Sequence, residues 1–393
     1  MRILTVSAFF ESHGGGVEIV AGALARALGH RGHDSRLMGA AFDAPPLASE
    51  LTAVPLPSRD PIEALSGLPL PMPTAAARQR MKEEVQAADA VIVHDALYAS
   101  SLVAARLATH HQKPWILIQH IGDIPYSSVL LRGALSLANQ FVTKPMLARA
   151  TQTVFISNTV HKYFENVEFR STPKLLFNGV DNDLFKLPSQ KEVAALRTRL
   201  GFPKNRTQLL FVGRFVEKKG LSIVRNVATL KPEWDFLMVG SGPIDPSAWQ
   251  LHNVRVLGRK SRNELSQLYR ASDALLLPSV GEGYPLVVQE AMATGLTVFC
   301  DMGSARADPD AENFLVGTAI DLRHPMGSAR RLAENIQKHP LTRCAEAAEY
   351  ARSQYNWDRN AEWIESRLLS ILTQSPRKGS NSLRWEAHAS QRQ

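Results

Sequence analysis

Short apolar runs alternate with longer amphipathic segments along most of this chain. The runs have the length and the Val, Ile, Leu and Phe content of buried strands, which predicts strands at residues 2–7, 34–39, 90–94, 114–120, 153–157, 209–213, 236–239, 254–257, 274–277 and 296–300. Most of the intervening segments are long enough for a crossover helix, and residues 17–32 show apolar positions at helical spacing. This alternation predicts an α/β protein with parallel sheets.

Three segments do not follow this alternation of strands and helices. The Pro-rich segment 44–73 predicts an irregular excursion over the surface. Residues 345–372 show helical spacing again and include Trp357 and Trp363. The last residues, 375–393, contain few apolar side chains, which predicts a disordered tail.

Length and composition narrow the class of protein. At 393 residues the chain is too long for one ordinary core and suits two domains. Apolar residues make up 45% and charged residues 21%, as in soluble globular proteins. The two cysteines, Cys300 and Cys344, cannot build a disulfide framework, so a reducing compartment is expected. Cys300 ends an apolar run and is expected to be a small buried side chain.

No segment has the pattern of a membrane span. The apolar start is short, and Glu11 follows it without a small-residue cleavage site, so it is interpreted as a strand and not as a signal peptide. The apolar stretch 127–149 is broken by Arg132, Asn139 and Lys144. The net charge of +8 favours an anionic partner, which could be nucleic acid, a lipid surface or a diphosphate. Nucleic acid is not expected, since no zinc-finger spacing or RNA-binding aromatic motif accompanies the charge.

The segment 279–295 carries the most informative pattern. It follows a predicted strand and ends at Gly295, a residue suited to the position just after a helix. Pro285 suits the first helical turn, because its missing N–H costs nothing there. The N–H groups of Leu286 and Val287 are then free to bind an anion such as a phosphate.

Two carboxylates flank this predicted anion site. Glu282 lies in the loop, and Glu290 lies about 7.5 Å along the helix axis from Pro285, at 1.5 Å per residue. Carboxylates repel a phosphate, but they accept hydrogen bonds from hydroxyl groups attached to it. Taken singly, each glutamate is better explained by a solvated helix face or by the helix dipole. Together with the loop, they favour a nucleotide-diphosphate sugar, which carries ribose and hexose hydroxyls.

The pattern Pro-Ser-x-x-Glu-Gly-Tyr-Pro-Leu-Val-x-x-Glu-Ala-Met-Ala-x-Gly resembles the signature of the family 4 glycosyltransferases. This resemblance implies a retaining enzyme of the GT-B fold, with two doubly wound Rossmann-like domains facing across a cleft and a C-terminal helix crossing back to the first domain. It also implies that Glu290 holds the donor ribose and that Glu282 contacts the donor sugar. The residues between them are expected to bind the nucleotide sugar, namely Gly283, Tyr284, Pro285, Leu286 and Val287.

The same resemblance predicts the domain limits. Residues 1–182 would form the acceptor-side domain and 183–355 the nucleotide-sugar-binding domain. Residues 356–374 would form the returning helix, and 375–393 the tail. Asn178-Gly179 is a strong turn dipeptide and resembles the family's interdomain connection.

Glycine-containing turns carry further predicted donor contacts. The turn that includes Gly15 and Gly16 follows the first strand and resembles the family's N-terminal pattern, which implies that both glycines face the donor across the cleft. A bare structural turn is the alternative, since such loops are common. In the second domain, Gly242 follows another strand, and Arg259 matches a position near the nucleotide base in relatives.

Arg214 and Lys219 follow the predicted strand 209–213 and resemble the family's Gly-Arg-x-x-x-x-Lys-Gly. A diphosphate gains negative charge as its bond to the sugar breaks, and two cations at the end of a strand would stabilise it. As isolated surface cations they would instead be solvated. The resemblance favours the catalytic interpretation.

His120 ends the predicted strand 114–120, at the edge where open α/β sheets bind ligands. A lone histidine there is more often structural. The resemblance implies a place near the donor sugar, so His120 is assigned a positioning role and not that of a general base. The chain departs from the family at 301–306, where relatives show a glycine-rich turn followed by an acidic residue and this chain carries Arg306.

Residues 126–150 mix Leu and Val with Arg132, Lys144 and Arg149. Such a segment fits binding to an anionic membrane surface, and an ordinary buried helix with cationic ends fits equally well. Family members use this part of the chain to meet a membrane or a lipid-linked acceptor. A cytoplasmic protein, peripheral at the inner face of the membrane, is therefore a hypothesis.

The implied activity is transfer of a hexose from a UDP- or GDP-sugar to a hydroxyl of a glycan or lipid-linked acceptor. Arg214, Lys219 and the amides after Pro285 would stabilise the leaving diphosphate, so no metal or other cofactor is expected. Two alternatives stay open. One is a phosphorylase or nucleotide-sugar epimerase of the same fold, and the other is a binding protein with a degenerate nucleotide-sugar site.

Overall fold

The computed structural model describes residues 1–42, 44–61, 70–124, 128–203 and 205–374. Within these ranges the chain forms two parallel sheets flanked by helices, as the alternation of strands and helices predicts. The predicted tail, 375–393, lies outside the described residues.

The first sheet has seven parallel strands, which are β1 (Arg2–Val6), β2 (Asp34–Ala40), β3 (Thr52–Leu56), β6 (Ala90–His94), β7 (Trp115–Gln119), β8 (Gln152–Phe155) and β9 (Lys174–Leu175). Their order across the sheet is β3-β2-β1-β6-β7-β8-β9. Two short strands pair antiparallel beside it, β4 (Ser58–Arg59) and β5 (Met72–Pro73). The helices of this half are α1 (Gly16–His30), α2 (Ala75–Ala87), α3 (Ala99–His110), α4 (Val129–Ala138), α5 (Lys144–Arg149) and α6 (Asn158–Tyr163).

The second sheet has six parallel strands, which are β10 (Thr207–Val212), β11 (Trp234–Val239), β12 (Val254–Gly258), β13 (Ala274–Leu277), β14 (Thr297–Asp301) and β15 (Leu315–Thr318). Their order is β12-β11-β10-β13-β14-β15. The remaining helices are α7 (Gln190–Leu200), α8 (Leu221–Leu230), α9 (Arg262–Ala271), α10 (Leu286–Ala293), α11 (Met302–Ala305), α12 (Pro325–Lys338), α13 (Ala345–Gln354) and α14 (Trp357–Gln374).

The last described helix joins the two halves. Ile364 and Leu368 of α14 pack with Leu24 of α1 and Ile3 of β1, which places α14 on the first domain. Arg31 and Glu365 form an ion pair at 2.6 Å along the same contact. The prediction that a C-terminal helix crosses back to the first domain is therefore confirmed.

Two sequence-based expectations need correction, and two strands were missed. The segment 44–73 is not wholly irregular, because Thr52–Leu56 forms the edge strand β3 and buries Val54 and Leu56. The strand could not be recognised from the sequence because the segment is rich in proline, which usually argues against a strand but is tolerated in an edge strand. The strands Lys174–Leu175 and Leu315–Thr318 were not predicted. The alternative of an ordinary buried helix is wrong for Val129–Ala138, since none of its residues is buried.

One smaller expectation is confirmed. Cys300 is fully buried in the core of the second half, and burial raises the pKa of its thiol. No described helix is long and apolar enough to cross a bilayer.

Candidate active site

Each sheet reverses its strand order at one point, the first between β1 and β6 and the second between β10 and β13. In open parallel sheets, ligands bind in the crevice at the carboxyl ends of the two strands that flank such a reversal. The motif of Arg214 and Lys219 follows β10, and the loop that carries Glu282 follows β13. The fold therefore brings the two strongest sequence motifs to one crevice.

Lys219 and Glu282 are in direct contact. Nζ of Lys219 lies 3.0 Å from Oε1 of Glu282, and Nζ of Lys218 lies 3.6 Å from the same oxygen. The hydroxyl of Ser279 donates a hydrogen bond to it at 2.8 Å. Burial alone would raise the pKa of Glu282, but the two lysines and these hydrogen bonds lower it to about 2. Glu282 is therefore ionised throughout the neutral range.

Arg214 is exposed beside this pair. Its positive charge acts on Lys219, and also on Glu18 of the first domain, so the guanidinium lies between the two halves. Among the described residues it has no hydrogen-bonded or ion-paired side-chain partner. Its N–H groups are available to an anion in the cleft.

The amino end of α10 faces the same loop. Pro285 precedes the helix in extended backbone, so α10 begins at Leu286, one residue later than the sequence suggests. No side chain caps this end. The amides of Leu286 and Val287 are therefore left for a ligand, and the helix dipole favours an anionic one.

Glu290 lies one turn into α10 in an environment unlike that of Glu282. It is buried, and the hydroxyl of Tyr269 donates a hydrogen bond to its carboxylate at 3.2 Å. Burial raises the pKa of Glu290 to about 7, although Arg262 and Tyr269 oppose the shift. Near neutral pH both protonation states of Glu290 are populated in this structure.

Tyr284 is placed differently from the sequence-based expectation. Its ring lies in the core, and its hydroxyl lies 2.8 Å from that of Tyr355, which in turn donates to Asp308 at 2.8 Å. The tyrosine side chain is thus unavailable to a donor, and a donor-binding role for Tyr284 is restricted to its backbone.

Gly283 packs against His120 of the first domain. A Cβ atom at Gly283 would lie 2.2 Å from the carbonyl oxygen of His120, closer than any side chain allows. Nε2 of His120 lies 3.0 Å from Nδ1 of His94, and both rings are buried. Burial lowers the pKa of His120 to about 3, so its imidazole is neutral at pH 7.

The other predicted donor contacts fall into two groups. Arg259 donates to Ser241 at 2.8 Å and approaches the first-domain turn, where a Cβ at Gly14 would lie 3.7 Å from its Nη1. Gly16 faces open space. Gly242 is needed for packing, because a Cβ there would lie 2.5 Å from the Phe215 carbonyl oxygen, whereas a Cβ at Gly15 would meet only the carboxylate end of the Glu18 side chain.

The divergent segment after β14 folds as a short helix, α11. The Asp301 carboxylate caps it by accepting from the Gly303 amide at 2.8 Å, and Arg306 pairs with Glu312 at 3.2 Å. Within the described ranges, no group of three His, Cys, Asp or Glu side chains is arranged to hold a metal ion.

Sequence reasoning missed three charged residues at this cleft. Lys218 shares the Glu282 carboxylate with Lys219, and Glu18 and Asp95 are buried at the first-domain side. Asp95 directly follows a strand, a signal that the sequence does contain. The proximity of Glu18 to Arg214 depends on the tertiary structure, because the two belong to different domains.

Two facing Rossmann-like halves, each with a crevice at its strand-order reversal, define the GT-B fold. Solved structures share it. Sucrose-phosphate synthase from Thermosynechococcus elongatus superposes with a TM-score of 0.70 at 17% identity, covering 95% of this chain and 99% of that one. HepE from Anabaena, in complex with UDP and glucose, gives 0.65 at 19%, covering 94% and 100%.

Sequence comparisons lead to the same family. Residues 14–184 match the model described as Glycosyltransferase Family 4, and 206–335 match Glycosyl transferases group 1. The putative teichuronic acid biosynthesis glycosyltransferase TuaC of Bacillus subtilis is 26% identical over 67% of this chain and 64% of its own length. D-inositol 3-phosphate glycosyltransferase of Mycolicibacterium smegmatis is 30% identical over 51% and 47%.

The chain therefore belongs to the group 1, family 4 glycosyltransferases. Its matches span about half to two thirds of the length of these two curated relatives.

Proposed function

We propose that this protein is a retaining glycosyltransferase that moves a hexose from a nucleotide-diphosphate sugar to a hydroxyl of a glycan or lipid-linked acceptor. The observation that carries the proposal is the contact of Lys219 with Glu282 at the crevice of the second sheet, with the unpaired guanidinium of Arg214 beside it. Cations and an ionised carboxylate at one point match a ligand that carries both a diphosphate and hydroxyl groups.

The proposed chemistry divides these groups by charge. Lys219, Arg214 and the amides of Leu286 and Val287 stabilise the diphosphate as the bond between the anomeric carbon and its oxygen breaks. Glu282 accepts hydrogen bonds from hexose hydroxyls. The acceptor oxygen attacks from the face that the diphosphate leaves, and its proton passes to the released phosphate oxygen.

Glu290 is proposed to hold the donor ribose, and His120 to position the donor sugar. The neutral state of His120 at pH 7 and its contact with His94 suit a positioning residue. This division of roles requires no protein base and no metal ion.

The donor is proposed to be a UDP- or GDP-sugar. HepE, which shares the fold, was solved with UDP and glucose, which supports a UDP-sugar. TuaC acts, by its name, in teichuronic acid biosynthesis, which supports a role in cell-surface polysaccharide synthesis.

The first experiment is a thermal-shift panel of UDP-, GDP- and ADP-sugars on wild type and Lys219→Ala. We expect one nucleotide class to raise the melting temperature of wild type, and a smaller shift in the variant. No shift with any class would contradict the proposal. Binding without donor hydrolysis or transfer would favour the degenerate binding protein, and product formation from donor without acceptor would favour the epimerase or phosphorylase.

A second surface supports a lipid-linked acceptor. The α4 segment, residues 128–144, exposes Leu130 by 83% and Phe141 by 71%, together with Val129 and Leu137. The sequence from 124 to 164 contains four Lys or Arg residues and no Asp or Glu. We propose that this segment binds an anionic lipid surface, because apolar side chains among cations gain from both burial and attraction there.

Co-sedimentation with vesicles tests this surface. Wild type should bind vesicles that contain phosphatidylglycerol at low salt, and should be released by high salt. Leu130→Ser combined with Phe141→Ser should weaken binding by about tenfold or more, whereas Leu369→Ser, exposed on α14, should not. Equal binding by all three proteins, or no binding by wild type, would overturn the membrane proposal and leave the glycosyltransferase proposal untouched.

A further inference from the structure

The hydroxyl of Tyr269 contacts the helix that carries the proposed donor contacts, and the proposed chemistry gives it no role. Tyr269 belongs to α9, and its side chain is fully buried. Its oxygen lies 3.2 Å from Oε2 of Glu290 and 3.3 Å from the carbonyl oxygen of Val287. Both partners belong to α10, and the proposed function assigns each of them a donor contact. One buried hydroxyl therefore contacts two residues of the proposed donor site.

A tyrosine hydroxyl has one proton, so Tyr269 donates one hydrogen bond at a time. Burial raises the pKa of Tyr269 well above its ordinary value, so the hydroxyl keeps this proton at neutral pH. An ionised carboxylate is a stronger acceptor than a carbonyl group, so Tyr269 donates to Glu290 when Glu290 is ionised. When Glu290 is protonated, its own O–H donates to the tyrosine oxygen, and Tyr269 donates to Val287 instead. The direction of the hydrogen bond follows the charge of Glu290.

The two carboxylate oxygens of Glu290 have different surroundings. Oε2 receives the hydrogen bond from Tyr269. Oε1 receives no hydrogen bond from the residues that the structure describes, and it is not one of their completely enclosed unpaired oxygen atoms. It is therefore accessible and can accept a hydrogen bond from a ligand hydroxyl. One oxygen is held by the protein and the other is left for a ligand.

The position of Tyr269 relative to α10 is fixed from two sides. The ring of Phe185 packs edge-on against the Tyr269 ring, with 5.7 Å between the ring centroids. Arg343 donates to the backbone carbonyl of Tyr269 at 3.1 Å and to that of Thr294, which directly follows α10, at 2.8 Å. The guanidinium of Arg343 thus ties α9 to the end of α10. The hydroxyl has a defined position from which to orient the Glu290 carboxylate.

Few charged or polar groups act on Glu290. Burial raises its pKa most, and the charge of Asp181, between the two domains, raises it further. Arg262 and Tyr269, both on α9, lower this pKa. Of these groups, Tyr269 is the one that donates a hydrogen bond to the carboxylate. Removing its hydroxyl should therefore change both the orientation and the charge of Glu290.

We infer that Tyr269 is a positioning residue for donor binding, which holds Oε2 of Glu290 so that Oε1 accepts from a ribose hydroxyl. The inference rests on the proposed function and deepens the role given there to Glu290. Tyr269 does not contact the donor. It acts through Glu290, by fixing the direction of the carboxylate and by favouring its ionised form. A tyrosine that only filled the core would use its ring and not its hydroxyl.

The test is Tyr269→Phe in the full chain, which removes the hydroxyl and keeps the ring. Calorimetry measures the Kd of UDP, GDP or ADP, whichever class the thermal-shift panel selects, from pH 6 to pH 9. In wild type the Kd should rise by up to about tenfold as pH falls through the pKa of Glu290. In the variant this rise should begin about one pH unit higher, because the ionised carboxylate loses a hydrogen bond. The donor KM should follow the Kd, and kcat should stay within about twofold of wild type.

Tyr350→Phe is the matched control. The Tyr350 hydroxyl also donates to a carboxylate, that of Asp308 at 2.9 Å, and neither residue has a proposed donor contact. This variant should lower the melting temperature but leave the pH midpoint of nucleotide binding unchanged. A second control is the Glu290→Ala background, in which Tyr269→Phe should change the Kd by less than about twofold, since the residue through which Tyr269 acts is absent.

Three results would overturn the inference. They are an unchanged pH midpoint in Tyr269→Phe, an equal midpoint shift in Tyr350→Phe, and equal weakening by Tyr269→Phe with and without Glu290. If Tyr269→Phe does not fold, Phe185→Leu keeps the hydroxyl but loosens the ring, and it should shift the midpoint upward by a smaller amount. An unchanged midpoint in that variant would then count against the inference. Failure of wild type to bind any nucleoside diphosphate would instead refute the proposed function itself.

Discussion

Nζ of Lys219 lies 3.0 Å from Oε1 of Glu282, although the two residues follow different strands. They meet because β10 and β13 are neighbours in the sheet, while β11 and β12 lie on the other side of β10. Without a donor each charge neutralises the other. A bound donor would replace this contact, because its diphosphate would pair with Lys219 and its hexose hydroxyls would donate to Glu282. Both residues are therefore positioned for the same ligand.

Removing either proposed diphosphate cation should reduce turnover. We expect Lys219→Ala and Arg214→Ala each to lower kcat by about 10²- to 10³-fold, because each acts as a positioned donor to the leaving group. Steady-state kinetics with saturating donor measures this. Arg225→Ala, an exposed cation on α8, serves as the control and should retain wild-type kcat. Wild-type turnover in both active-site variants would remove the mechanism.

Glu290 should make donor binding depend on pH. Since burial raises the pKa of Glu290 to about 7 and ribose hydroxyls require the ionised form, the donor KM should rise by up to about tenfold from pH 8 to pH 6. Glu290→Gln should raise the donor KM and abolish this dependence. A donor KM that is flat with pH in wild type would contradict the assignment.

The same residue should limit stability at high pH. A raised pKa means that the folded state holds the proton more tightly than the unfolded state does, so stability present below about pH 4.5 is lost as pH rises through about 7. Glu290→Gln should therefore melt about 2 °C or more above wild type at pH 8, with a smaller difference at pH 5. Scanning calorimetry at both pH values tests this, and an equal difference at the two would count against it.

Gly283 should tolerate no side chain. In Gly283→Ala the new Cβ would meet the His120 carbonyl oxygen at 2.2 Å, and a backbone atom cannot swing aside, so the loop must move away from the first domain. We expect kcat/KM to fall by about tenfold or more with the chain still folded. Gly327→Ala on α12, where a Cβ would make only an ordinary contact with the Arg331 side chain at 3.6 Å, is the matched control. Equal activity of the two variants would show that this close approach is dispensable.

His120 should weaken the fold in acid. Burial lowers its pKa to about 3, so the stability it contributes is present above the ordinary value of 6.5 and is lost as pH falls below it, by about 1.4 kcal/mol per pH unit. His120→Asn should lose less stability than wild type between pH 7.5 and pH 5.5. The exposed His252→Asn should follow wild type. Parallel curves for wild type and His120→Asn would contradict a buried neutral imidazole.

The sequence by itself determined the α/β class, the parallel sheets and both principal motifs. Short continuous apolar runs such as Ala274–Leu277 indicate buried strands from the local sequence alone. Glu282 and Glu290 lie within one loop and the helix that follows it, so their spacing is also a local property. The capping box that begins α9, with Ser261 and Glu264, was predictable for the same reason.

Only the tertiary structure decided which of these groups meet. The pairing of Lys219 with Glu282, the contact of Gly283 with His120 and the placement of Asp95 at the first crevice depend on strand order and domain docking. Burial raises the pKa of both Glu282 and Glu290, and only Glu282 has two lysines beside it that lower its pKa to about 2, a difference that arises from residues distant in the chain. Spacing along the chain fixes what a residue can do, whereas burial and long-range neighbours fix its charge and its partner.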